Sequence, residues 1–153
     1  MKKCLPVLMV CFLAVIFSGC KNDHPLTIIP EPAECTQKSG HFTIDDQTFL
    51  CFENIAPKDK SLMSLISDSY TETFHLTPNV GDKGSCKKNY ILFEINKKND
   101  DKIGPEGYRL TVTKRHVIVT ANSAAGLYYC FPTVLQMTYP DETAKRPTIT
   151  LPC

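Results

Sequence analysis

The sequence predicts an α+β fold, a small antiparallel sheet with two helices packed on one face, and three observations carry that prediction. Leu62, Leu65, Ile66, Tyr70 and Phe74 recur three or four residues apart, which lines one side of a helix with apolar side chains. Tyr108-Arg109-Leu110-Thr111-Val112 alternates apolar with polar, and Val117-Ile118-Val119-Thr120-Ala121 is rich in β-branched residues, so the two read as an antiparallel pair turning at Lys114-Arg115. The length left for folding is that of one ordinary domain: once a leader is removed, 134 of the 153 residues remain, enough to bury a core.

That leader is residues 1–19. Lys2 and Lys3 form a positive head, Leu5 to Phe17 is an apolar stretch of thirteen residues, and Ser18, Gly19 and Cys20 are the small residues that close it. A helix of that length reaches roughly 20 Å, short of the ~30 Å hydrocarbon core of a bilayer, so the stretch is expected to be a signal peptide and not a spanning helix. Phe17-Ser18-Gly19-Cys20 resembles the lipobox of bacterial lipoproteins, although Phe17 replaces the usual Leu. The resemblance makes Cys20 the lipidation site, and residues 20–25 a tether between membrane and domain. Lys21-Asn22-Asp23 partly resembles the signal that carries some lipoproteins to the outer surface. The expected location is therefore exported and membrane-anchored, on the outer membrane and facing either the periplasm or the surface.

Within 26–153 the elements follow in order. Leu26 to Ile29 is a possible first strand. His41 to Ile44 and Thr48 to Phe52 flank the turn-forming Asp45-Asp46-Gln47, which suggests a β-hairpin. Pro57 suits a helix start, and the helix is expected over Lys58 to Phe74. Asn79 to Asn89 lacks apolar period and reads as a solvated loop. Tyr90 to Ile95 is a strand with Ile91, Phe93 and Ile95 on one face, and Asn96 to Pro105 is a charged loop. Ser123 is placed to cap a second helix running to about Met137, in which Pro132 removes a hydrogen bond. Thr148 to Leu151 is a last short strand.

Composition excludes several functions. Without Lys2 and Lys3 the chain carries 15 basic and 16 acidic residues, and no clustered positive run suggests nucleic acid as a partner. Of eight cysteines, Cys4 and Cys11 leave with the leader and Cys20 takes lipid, so Cys35, Cys51, Cys86, Cys130 and Cys153 remain. Their odd number and wide spacing argue against a disulfide scaffold, with one or two bridges open, and Cys51 and Cys130 sit in apolar runs that suit small buried hydrophobes. His24, His41, His75 and His116 are dispersed and form no H-E-x-x-H or Cys-x-x-Cys set, so neither a metal nor any other cofactor is expected. No serine occupies a G-x-S-x-G elbow.

Several segments together resemble one family. Ile28-Ile29-Pro30-Glu31-Pro32 and Gly40-His41-Phe42-Thr43-Ile44, then Glu106-Gly107-Tyr108-Arg109-Leu110-Thr111-Val112, Val117 to Ala121, Ala125-Gly126-Leu127-Tyr128-Tyr129 and Thr133-Val134-Leu135-Gln136-Met137 are similar, in order and spacing, to the N-terminal domain of bacterial β-N-acetylhexosaminidases of glycoside hydrolase family 20. Cys130 stands where the family usually has glycine, and Pro132 where it continues its helix. The resemblance implies that an eight-stranded β/α barrel follows this domain. There the substrate's 2-acetamido oxygen attacks the anomeric carbon while an Asp orients it and a Glu protonates the leaving oxygen.

The 153 residues stop before such a barrel, so no catalytic residue is expected in them and the chain is expected to be inactive alone. Asp141-Glu142 is a carboxylate pair, but it follows Tyr139-Pro140 in a turn, and solvated carboxylates with nothing to desolvate them are poor general acids at neutral pH. The expected partners are its own or a separate catalytic barrel, the membrane through the lipid, and glycans. A second reading is a glycan-binding surface lipoprotein; against it, the chain has no tryptophan, and Tyr128 and Tyr129 are the best pair for a sugar platform. A third is an interaction domain that works without any ligand.

Overall fold

The computed structural model describes residues 26–140 and 148–153. The apolar stripes form strands β1 (His41–Ile44), β2 (Phe49–Glu53), β3 (Asn79–Asp82), β4 (Tyr90–Ile95), β5 (Tyr108–Val112), β6 (His116–Ala121), β7 (Tyr139–Pro140) and β8 (Ile149–Pro152), with helices α1 (Lys60–Phe74) and α2 (Ala124–Met137). The α+β class holds. Within it the main sheet, in the order β3-β2-β4-β6-β5, is mixed: β2 runs parallel to β3 and β4, β4 parallel to β6, and β5 antiparallel to β6. A smaller antiparallel sheet has the order β1-β8-β7.

One face of the main sheet carries the core. Register aligns Leu50, Ile91, Val117 and Val112 in one row and Phe52, Phe93, Val119 and Leu110 in the next, with the rings of Phe52 and Phe93 stacked at 5.5 Å. Leu62, Ile66, Tyr70 and Phe74 of α1 and Leu127, Cys130, Phe131 and Val134 of α2 join the same cluster, so both helices cover that face, as expected. Each such side chain contributes roughly 1.5–3 kcal/mol by leaving water. Burial pushes the Tyr70 hydroxyl and the Cys130 thiol well above their ordinary pKa ranges, which keeps both neutral.

Three expectations are corrected. The β1–β2 hairpin does not form: β1 pairs with β8, and β2 pairs with β3 and β4. Leu50, Cys51 and Phe52 are all buried, so this strand needs cover on both faces and neighbours on both edges, which a central parallel strand has. Asn79 to Asn89 is no uniform loop, because Asn79–Asp82 forms edge strand β3 and Lys83–Ser85 a 3-10 turn; backbone pairing at an edge needs no apolar side chain. Leu26 to Ile29 is not a strand. The Gln136 side-chain amide instead accepts from the Ile29 N–H at 2.7 Å and donates to its carbonyl at 3.0 Å, while Pro30 and Pro32 have no N–H to offer a ladder.

The remaining elements fall close to expectation. Pro57–Asp59 is a 3-10 turn leading into α1, which ends where His75 takes the left-handed conformation, φ 54°. The Ser123 hydroxyl accepts from the Gly126 N–H and donates to the Pro105 carbonyl, so it caps α2 and ties it to the preceding loop. Pro132 stays inside α2 and leaves the Tyr128 carbonyl without its intrahelical donor, at the half-exposed side of the helix. Gly126 lies where α2 meets the sheet: a Cβ there would fall 2.4 Å from the Gly107 carbonyl oxygen and 2.9 Å from the Ala121 Cβ. Tyr139–Pro140, expected as a turn, pairs with β8.

Candidate functional site

Asp141-Glu142 and His24 lie outside the described residues, as does the proposed lipidation site Cys20. The structure does bring together another carboxylate pair. Glu53 and Glu94 are opposite each other on parallel β2 and β4, on the sheet face away from the helices, and Lys83 from the 3-10 turn pairs with both, at 3.6 Å from Glu94. The two acids hold the Lys83 ammonium above its ordinary pKa range, Glu53 first. One ammonium shared by two acids leaves the triad with a net negative charge, and its contacts hold the turn to the sheet.

Lys83 is not the only clasp on that turn. Cys51 of β2 is bonded to Cys86, with Cα atoms 6.4 Å apart, which corrects the expectation that Cys51 is only a buried hydrophobe. Cys130 is a free thiol fully inside the core, as its apolar setting predicted, and Cys35 and Cys153 are also free. His75 closes α1, and His116 stacks on Tyr90 with centroids 5.3 Å apart. Among the described residues no three His, Cys, Asp or Glu side chains converge as metal ligands.

A cleft of about 470 Å³ lies at the amino ends of the parallel strands, lined by Thr43, Lys87, Lys88, Asn89, Lys114 and Arg115. Parallel register explains it. Phe49, Tyr90 and His116 start β2, β4 and β6 side by side, so the segments entering β4 and β6 are adjacent although far apart in sequence. Asn89 locks them: its N–H donates to the Arg115 carbonyl, its own carbonyl accepts from Phe49, and its side chain donates to Asp45. Thr113 closes the β5–β6 turn by accepting from the Arg115 and His116 N–H groups, which settles the register around Lys114-Arg115. Sequence reasoning missed this site because each basic pair, Lys87-Lys88 and Lys114-Arg115, reads alone as an ordinary solvated turn.

Tyr128 and Tyr129 are exposed on α2, at 40% and 49%, with ring centroids 6.0 Å apart and tilted by 58°. That tilt makes no flat platform of the pair.

Residues 26–153 match the family model described as "Glycosyl hydrolase family 20, domain 2". The chain is 29% identical over 132 residues to a beta-hexosaminidase of Porphyromonas gingivalis, covering 85% of this chain and 16% of that protein. Its fold resembles that of the family 20 exo-β-N-acetylglucosaminidase of Vibrio harveyi, with a TM-score of 0.61, 21% identity, and 82% of this chain and 18% of that one covered. The family 20 β-N-acetylhexosaminidase of Streptomyces coelicolor A3(2) is similar to the same degree, TM-score 0.61 and 21% identity, with 82% and 26% covered. The chain thus spans about a sixth of the relative from Porphyromonas. The family model covers residues 26–153, and the chain belongs to glycosyl hydrolase family 20, of which it carries domain 2.

Proposed function

We propose that this chain is the accessory N-terminal domain of an exported β-N-acetylhexosaminidase that acts on terminal N-acetylhexosamine residues of glycans, and that the 153 residues alone do not hydrolyse them. The observation that carries the reading is the match of residues 26–153 to domain 2 of the family. The site geometry supports it, since the acids that meet among the described residues, Glu53 and Glu94, share Lys83 and do not line the basic cleft. Tyr128, Tyr129 and Leu65, exposed on the helix layer, suit packing against a catalytic barrel. Export and anchoring rest on the leader and on Cys20.

The experiment has two parts. The purified chain is expected to release no p-nitrophenol from p-nitrophenyl N-acetylglucosaminide, and turnover by a clean preparation would overturn inactivity. Sequencing the DNA downstream of codon 153 tests the accessory role, because a frame encoding the barrel is expected there. The glycan-binding alternative draws on the exposed Tyr128 and Tyr129, and specific glycan retention lost in a Tyr128→Ala/Tyr129→Ala variant would favour it.

A further inference from the structure

We propose that the cleft at the amino ends of β4 and β6 binds a sulfated or phosphorylated saccharide. Four cations converge there, Lys87 and Lys88 entering β4 and Lys114 and Arg115 entering β6, with Thr43 as a neutral hydroxyl on the wall. Among the described residues no carboxylate lines the cleft, and the ion pairs there are those of Lys83 with Glu53 and Glu94 and of Arg109 with Asp100, none of which involves these four. Like charges on mobile loops would move apart. Here they are held, because Asn89 bonds the two segments to each other and to Phe49, Thr113 closes one turn, and the Cys51–Cys86 bond fixes the chain one residue before Lys87.

Asp45, which accepts from Asn89, also accepts from the Gln47 N–H and the Thr48 hydroxyl, so its charge is engaged in the frame of the site. A rigid positive concavity lowers the cost of desolvating a multiply charged anion and attracts it from a distance. Arg115 can meet two oxygens of a sulfate or phosphate ester at once, and lysines complete the charge.

The carrier is a saccharide in preference to a lipid surface for two reasons. The exposed large apolar residues, Ile29, Leu65, Val80, Tyr128 and Tyr129, all lie outside the cleft, so nothing beside it would enter a bilayer. The second is the glycosidase reading above, since a domain of such an enzyme works beside glycans; the choice of a saccharide rests on that reading, whereas the charge and shape of the cleft do not.

Sucrose octasulfate titrated calorimetrically into the purified chain is the test. Saturable binding is expected at about 50 mM salt, weakening roughly tenfold or more at about 300 mM as the charges are screened. Lys88→Glu/Arg115→Glu is expected to weaken it at least about tenfold, and the milder Lys87→Gln/Lys114→Gln to weaken it in the same direction with the melting temperature retained. Lys97→Glu/Lys98→Glu, a basic pair outside the cleft, should bind as the parent chain does. Absent saturable binding, or equal loss in the Lys97/Lys98 variant, overturns the proposal. So does sedimentation with phosphatidylglycerol vesicles, lost in the cleft variants, from a chain that ignores the octasulfate. A negative titration leaves the barrel-encoding frame and the hydrolysis assay untouched, so failure of the cleft and failure of the family role are separable.

Discussion

Cys86→Ala removes one covalent tie whose effect can be worked out from the chain it encloses. Cys51 and Cys86 are 35 residues apart, and between them lie α1 and β3. Cross-linking a loop of that length removes about 12.7 cal/mol/K from the unfolded ensemble, which is about 3.8 kcal/mol at 25 °C. Cys51 stays behind as a small thiol in an apolar slot, so no cavity term is added on that side. For a domain of this size the loss corresponds to a fall in melting temperature of about 10–15 °C. Circular dichroism during heating, with and without a phosphine reductant, reads it. The parent chain should melt lower in reductant and approach the variant, while the variant should ignore the reductant. A parent chain whose melt does not respond to reductant, together with a Cys86→Ala variant that melts where the parent does, would refute the reasoning.

Two further perturbations test packing and charge. Gly126→Ala should destabilise by about 1–3 kcal/mol in urea unfolding, because the new methyl group meets the Gly107 carbonyl and the Ala121 side chain where helix and sheet touch; an unchanged midpoint would show that the contact can relax. The Asp100 carboxyl lies below its ordinary pKa, held by the Lys102 N–H first and then by Arg109, so its contribution is present above the unfolded value and lost as pH falls through the folded one. Asp100→Asn should therefore be less acid-sensitive than the parent below pH about 4 and less stable near neutrality, read as melting temperature against pH, and parallel profiles would remove the claim.

Legibility followed the range of the interaction. The α1 stripe, the Ser123 cap and the β5–β6 pair are local: their signals sit within a few residues, and the structure places them within two residues of expectation. The β1–β2 hairpin failed because Asp45-Asp46-Gln47 is a real turn, with Gln47 and Thr48 bonded to Asp45, yet a turn specifies direction and not partners. β3 was invisible because an exposed edge strand is chosen by its neighbour and carries no apolar period. Cys51 and Cys86 share no spacing motif. They meet because β2 and the 3-10 turn after β3 are adjacent in space.

The candidate site divides in the same way. Family membership was legible because the matching segments recur in order along the chain, and sequential order needs no folding to be seen. The basic cleft was not, since Lys87-Lys88 and Lys114-Arg115 become one site only when parallel register sets Tyr90 beside His116. By itself, the order of side chains determined which stretches are amphipathic, where the helices begin, and which family the domain resembles, because those depend on periodicity and local hydrogen bonding. Strand partners, the parallel sense of the sheet, the cysteine bridge and the convergence of four cations were decided by tertiary packing. They depend on burying β2 on both faces, a demand met only by segments distant in the chain.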